Sequence, residues 1–253
     1  MTGSEPATVV VVPCFNEELR LDEDAFDALA RSSAVSLLFV DDGSTDATAA
    51  VLARVAKGSD RTSVLSLEAN AGKAEAVRRG MLRAVAEGAT TVGYYDADLA
   101  TPPDQLLRLV EVLHARPELV GVLGSRVARL GSTIERRALR HYLGRAYATL
   151  ASWALGITVY DTQCGAKVFR VNDALGAALA EPFRSAWAFD VELLHRLLHG
   201  SAAAEPIAED ALVEVPLTTW RDVGGSKLRL GSALYALVDL VVIARSGPRR
   251  RPR

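Results

Sequence analysis

The chain has 253 residues, a formal net charge of −2, 49% hydrophobic and 24% charged residues, which suits one sizeable α/β domain or two small ones. That balance excludes a largely disordered chain and argues against a general nucleic-acid binder, whose footprint would be a basic excess. Only two cysteines, Cys14 and Cys164, are present, which excludes a disulfide scaffold and points to a reducing compartment.

In chain order, MTGSEPATVVVVP has no basic region ahead of its short apolar run, unlike a signal peptide. Buried strands are expected at TVVVVP (8–13), VSLLFVDD (35–42), TSVLSL (62–67), TTVGYYD (90–96) and LVGVLGS (119–125). Between them DATAAVLARVA, GKAEAVRRGMLRAVAEG and PPDQLLRLVEVLHA have helical periodicity. This alternation predicts a mostly parallel sheet flanked by helices. Beyond residue 126 the alternation breaks down. IERRALRHYLGRAYATLASWALGI reads as one or two amphipathic helices, AKVFRV as a short strand, WAFDVELLHRLLHG as a helix and ALVEVPLTTW as a strand running into a loop. The second half is thus expected to be a modified sheet edge with helical additions. LGSALYALVDLVVIAR is interrupted by Asp239 and falls short of the ~20 residues a membrane-spanning helix needs. A soluble or peripheral protein is expected, with RSGPRRRPR as a solvated basic tail.

The polar motifs fall at the carboxyl ends of the predicted strands, where open α/β sheets bind ligands. PCFNEE follows the first, DDGSTD the second, EANAGKAEA the third and DAD the fourth. Each alone is weak, since Ser44 or Thr45 could cap a helix and Asp98 a turn; together they describe one site. Asp96 and Asp98 offer hard oxygens suited to Mg²⁺ or Mn²⁺, which typically combine one or two protein carboxylates with substrate phosphates. Asp41 and Asp42 can accept from a base edge or a ribose hydroxyl. Lys73 adds a cation at a helix start, where free amides favour anions. Neither a P-loop nor a G-x-G-x-x-G motif is present, which removes the P-loop reading and weakens that of a dinucleotide dehydrogenase.

VVVPCFNEE, VDDGSTD, NAGKAEAVRRG and DADLATPP together resemble the inverting glycosyltransferases of family 2, which have the GT-A fold. DTQCGAKVFR, WAFDVELL and WRDVGGSKL resemble the dolichyl-phosphate β-glucosyltransferase branch among polyprenyl-phosphate sugar transferases. The resemblance covers residues 8 to 244 and implies a single GT-A domain. Within it, 8–125 would bind the nucleotide sugar and 126–244 the acceptor, followed by the basic tail 245–253. It implies transfer of a hexose, glucose from UDP-glucose in the first instance, to a polyprenyl phosphate with inversion. Pro13, Asn16 and Glu17 would line the nucleotide pocket, Asp42 would read base or ribose, and Lys73 would lie beside it. Asp96 would contact ribose or metal and Asp98 the metal. Ser125 and Arg126 would line the sugar side with the loop of Gln163, Cys164 and Lys167, while Arg221, Ser226 and Lys227 would hold the acceptor phosphate. Where related mannosyl transferases have Gln two residues after the second Asp, this chain has Ala100.

An alcohol acceptor needs a base as it attacks, and Asp190 lies in the appropriate segment. A phosphate acceptor, with its second pKa of about 6, is already largely ionised and needs charge screening instead, so Arg221 and Lys227 join Asp190 as candidate catalytic groups. Glu192 reads either as an orienting carboxylate or as a helix-surface one. His195 and His199, without a third ligand, read as exposed helix residues. The run YATLASWALGITVY, flanked by Arg140 and Arg145, reads either as core or interface packing or as an interfacial helix that receives a lipid tail; a cytoplasmic protein, peripheral at the cytoplasmic face of the membrane, is expected. Rivals are a soluble acceptor, GDP-mannose as donor, and a non-catalytic nucleotide-sugar sensor.

Overall fold

A computed structural model of the chain describes residues 7–32, 34–134, 138–201, 203–223 and 238–245, with the side chains of 138–143 outside the description. The first half runs β1 (Thr8–Cys14), α1 (Glu23–Arg31), β2 (Ser36–Asp41), α2 (Thr48–Lys57), β3 (Thr62–Ser66), α3 (Lys73–Ala86), β4 (Thr91–Tyr95) and α4 (Pro103–Ala115). The second runs β5 (Gly121–Ser125), β6 (Thr133–Ile134), α5 (Ala138–Leu155), β7 (Ala166–Arg170), α6 (Asp173–Ala180), α7 (Phe189–His199), β8 (Leu212–Pro216) and β9 (Thr219–Trp220). Residues 238–245 are helical again.

Seven strands form one sheet in the order β3-β2-β1-β4-β7-β5-β8, and β6 pairs with β9 separately. The sheet is parallel except for β7, which runs antiparallel between β4 and β5. The strand expected from AKVFRV is therefore internal, and the edge is β8. Its AKVF residues are all buried, which requires neighbours on both sides. The segment expected to make one or two helices makes one, α5, and α1 and α6 join the predicted set. Asp22 starts α1 by accepting from the Ala25 amide at 3.0 Å. Pro102 and Pro103 open α4, where a missing N–H is harmless.

Strand alternation divides the core into two layers. Val11, Leu38, Val40 and Tyr94 face α3, α5, α6 and α7. Val10, Val12, Phe39 and Tyr95 face α1, α2 and α4. Phe26 of α1 is fully buried and meets Phe39 edge-on at 5.1 Å; truncating such a ring typically costs about 3–5 kcal/mol. The parallel strands β1, β2 and β4 all end on one rim. The polar motifs gather there.

Candidate active site

The turn after β2 begins with Asp41, whose carboxylate accepts from the Ser44 amide at 3.0 Å. Asn16, after β1, adopts a positive φ of 54° and accepts from the Thr45 amide at 2.9 Å. The Ser44 hydroxyl accepts from the Asn16 amide at 3.1 Å, and Thr48 Oγ1 from the Glu17 amide at 2.8 Å. Ser44 and Thr45 therefore tie the first two motifs together instead of capping α2, whose N-cap is Ala47. Gly43, at φ 66°, passes against the backbone of Ala69 and Asn70, where any Cβ would collide.

Asp42 departs from its expected role. Its two carboxylate oxygens accept from the Ala71 and Gly72 amides at 2.7 and 2.8 Å, and the residue is 2% exposed. It holds the NAGK loop and does not present a free edge to a base. That loop delivers Lys73, the first residue of α3, whose Nζ donates to Asp96 Oδ1 at 2.5 Å.

Asp96 follows β4. Its amide donates to the Gly165 carbonyl at 2.9 Å, and a Cβ at Gly165 would overlap its carboxylate, so the QCG loop and the D-x-D turn fit only with glycine between them. Asp98 Oδ1 accepts from the Ala100 amide at 3.1 Å, a local turn that leaves α4 to Pro102. Burial first, and then the neighbouring Asp96, raise the Asp98 carboxyl above its ordinary value. Burial draws Lys73 down, but Asp96, Asp190 and Asp98 outweigh it and the net shift is upward. The rim is thus a lysine between two carboxylates, with the charge of Asp190 acting from beneath.

Beneath it lies a second lysine–aspartate pair. Lys167, fully buried on β7, donates to Asp190 Oδ1 at 2.8 Å and to the Cys164 carbonyl at 2.5 Å. The Tyr94 hydroxyl also donates to Asp190 Oδ1. Burial pushes Asp190 up and Lys167 down, each toward its neutral form. Lys167 and Cys164 are both 0% exposed, so the expectation that these side chains touch a ligand is corrected: they brace the loop from behind. Asp190, 5% exposed, is likewise enclosed. Glu192 is buried rather than on the surface and accepts from the Arg184 and Ser185 amides and from Arg196. His195, also expected to be exposed, is buried and stacks on His199 at 4.0 Å.

On the far side, Arg126 grips Asp161 through two guanidinium bonds of 2.7 Å and its amide, with its cation 5.4 Å from the Trp220 ring centre. Glu214 in turn accepts from the Tyr160 and Asp161 amides at 2.8 Å. The Ser125 and Thr162 hydroxyls are buried without a hydrogen-bond partner among the described residues. Gln163 Nε2 reaches the Tyr147 hydroxyl at 3.4 Å. Arg221 anchors its amide on the Ala100 carbonyl and leaves its side chain exposed. Pro13 is partly buried at the end of β1. Ser226 and Lys227 lie outside the described residues. Tyr94, Asp161 and Glu214 were not singled out from sequence. Asp161 opens the DTQCG motif and could have been; a tyrosine inside a strand carries no such signal.

This rim offers hard oxygens to a divalent cation, and only with such a cation bound would its charge suit a polyanion. Among the described residues no three His, Cys, Asp or Glu side chains gather to hold a metal alone.

The sheet order, the inserted antiparallel strand and the acidic rim define a glycosyltransferase of the GT-A fold. Residues 9–175 match the family described as Glycosyl transferase family 2. A dolichyl-phosphate beta-glucosyltransferase of Trichomonas vaginalis is 31% identical over 95% of this chain and 72% of its own length. The polyprenol monophosphomannose synthase of Mycolicibacterium smegmatis is 27% identical over 89% of this chain and 85% of its own. Among solved structures, glucosyl-3-phosphoglycerate synthase from Mycobacterium tuberculosis, in complex with Mn²⁺, UDP and glucosyl-3-phosphoglycerate, superposes with a TM-score of 0.69. That match has 21% identity and covers 96% of this chain and 81% of that one. The chain belongs to glycosyl transferase family 2.

Proposed function

We propose that the protein transfers glucose from UDP-glucose to a polyprenyl phosphate, with inversion, and depends on Mg²⁺ or Mn²⁺. The observation that carries the donor half is the D-x-D turn, where Lys73 already pairs with Asp96 and Asp98 is raised by burial and by its neighbour. Like charges crowded there favour a divalent cation, and two carboxylates match ions that complete their shell with phosphate oxygens. Asp98 and Asp96 would hold it, and when bound it would screen the charge of the departing diphosphate. Lys73 supplies a further positive charge for that group. Ser125 and Thr162 have buried hydroxyls suited to an ordered water on the sugar side. Arg126, held rigid by Asp161, walls the same side.

For the acceptor half, support comes from the relatives named for dolichyl-phosphate glucosyl transfer. The enclosure of Asp190 adds to it. A phosphate nucleophile is already largely ionised and needs no free base, so Asp190 serves by holding Lys167 and Tyr94, and Arg221 faces the acceptor.

Incubation with UDP-glucose or GDP-mannose, Mn²⁺, and either polyprenyl phosphate or soluble phosphorylated and alcohol acceptors tests this. Glucose transfer to polyprenyl phosphate is expected. Turnover with the soluble acceptors alone would overturn the acceptor assignment, and donor binding without turnover on any acceptor would overturn the enzyme.

A further inference from the structure

Glu214 stands where packing alone asks for an apolar residue. It follows Leu212 by two positions on the same face of β8, and Leu123 and Leu194 line the cavity beside it. Burial raises its carboxyl above the ordinary value, against the pull of the Tyr160 and Asp161 amides. A carboxylate in such surroundings is costly unless its oxygens are occupied. Here both are. Oε2 accepts from the Tyr160 amide and Oε1 from the Asp161 amide, each at 2.8 Å. One side chain thus holds two successive N–H groups of the loop that runs from α5 to β7. The preceding amide, of Val159, is taken by Ser152 Oγ of α5 at 3.0 Å.

That loop carries Asp161, and Asp161 holds Arg126. Oδ2 accepts from the Arg126 amide and Nε at 2.8 and 2.7 Å, and Oδ1 from Nη2 at 2.7 Å. Trp220 of β9 covers the guanidinium, with the cation 5.4 Å from its ring centre. The β8–β9 segment therefore reaches Arg126 twice, through Glu214 and the loop and directly through Trp220. Between these contacts the Leu217 amide donates to the Ser125 carbonyl at 2.8 Å, which fixes the backbone that leads into Arg126. Among the described residues no hydrogen bond occupies Nη1, and the Arg126 side chain is 21% exposed. Burial draws its pKa down, but Asp161 foremost, with Asp96 among the smaller contributors, outweighs it, and the guanidinium stays cationic within reach of the D-x-D charge.

We infer that Glu214 is a positioning residue for the donor sugar, fixing the 160–161 loop so that the remaining edge of Arg126 is aimed at the sugar side of the rim. This role rests on the donor half of the function proposed above and not on the acceptor. Glu214 itself touches no substrate; its effect passes through the planar Asp161–Arg126 fork, which sets one guanidinium orientation. When the base of such a fork shifts, the fork tilts as a unit, and misplacing a binding group by about 1 Å can cost about a hundredfold in rate. Gln at this position would offer one acceptor oxygen and turn its NH₂ against the other amide, so the loop would lose a bond and gain a conflict between donors.

The test is calorimetric titration of the full chain with UDP-glucose and with UDP, in Mn²⁺ and without acceptor. The parent, Glu214→Gln, Arg126→Met and the double variant are compared. Glu214→Gln should weaken UDP-glucose binding about tenfold and leave UDP within about twofold. In the Arg126→Met background it should add no further loss, because its only route to the sugar is gone. Asp161→Asn, which keeps the shape but one acceptor oxygen fewer, should repeat both results, so a Glu214→Gln chain that failed to fold would not decide the matter. Losses that multiply in the double variant, equal losses on UDP and UDP-glucose, or unchanged UDP-glucose affinity in Glu214→Gln or Asp161→Asn would each overturn the role. GDP-mannose and GDP form the parallel pair. A parent that binds that pair instead contradicts the proposed donor, and the same cycle read on it still decides for or against Glu214. A parent that binds neither nucleotide sugar removes both.

Discussion

The molecule contains two lysine–aspartate pairs of nearly equal length in opposite surroundings. Lys73–Asp96 spans 2.5 Å with side chains 43% and 33% exposed, and Lys167–Asp190 spans 2.8 Å with 0% and 7%. The outer pair is partly open to solvent and is worth little to stability, so either partner can be given up to a ligand. The inner pair has lost its water, burial pushes both groups toward neutrality, and Asp190 is satisfied there only by its bonds from Lys167 and Tyr94. Depth, rather than residue type, separates the ligand-facing group from its support.

The sharpest way to break this contrast is Lys167→Met, which strands Asp190 in the interior. A loss of about 3–5 kcal/mol is expected, read by denaturant unfolding, and adding Asp190→Leu should recover much of it. If Lys167→Met unfolds like the parent, the inner pair is not a support. On the outer rim, Asp98→Asn should reduce metal-stimulated turnover by about a hundredfold or more, a loss of the size seen when one electrostatic donor is removed from an active site. Its unfolding curve should barely move, and full metal-stimulated activity would refute the assignment.

The same dry interior along α7 acts on His195. Burial first, then His199 and Arg196, depress its pKa to about 4. Unfolded histidine titrates near 6.5, so between those values the unfolded chain binds more protons. The stability from a neutral His195 is complete above pH about 6.5 and falls as pH drops toward 4, by at most about 3 kcal/mol. Melting curves of the parent and His195→Gln across pH 7 to 4.5 should therefore converge as the parent loses its advantage; parallel curves would contradict this. The smallest structural effect belongs to Lys73→Met. It should change stability by less than about 1 kcal/mol while weakening nucleotide-sugar turnover by about tenfold, through loss of one charge-assisted contact. A stability loss as large as that of Lys167→Met would erase the contrast.

Much of this was legible beforehand where local chemistry is decisive. The runs TVVVVP, SLLFVD and TVGYY could be little other than buried strands, and D-x-D, DDGSTD and NAGK had to follow them on one rim because parallel strands end together. The second half was less legible. AKVFR reads as a strand at an edge or at a centre, and only pairing with both β4 and β5 decided for the centre.

The site divides the same way. Composition, periodicity and strand-end motifs by themselves determined an α/β sheet with an acidic, lysine-bearing rim, because apolar period and turn chemistry act over a few residues. Tertiary structure alone decided that Asp42 is consumed by backbone amides, that Lys167 and Asp190 are buried together, and that Trp153 faces outward. Those outcomes depend on which surfaces lose water when segments far apart in the chain are packed together, and no short window of sequence contains that information.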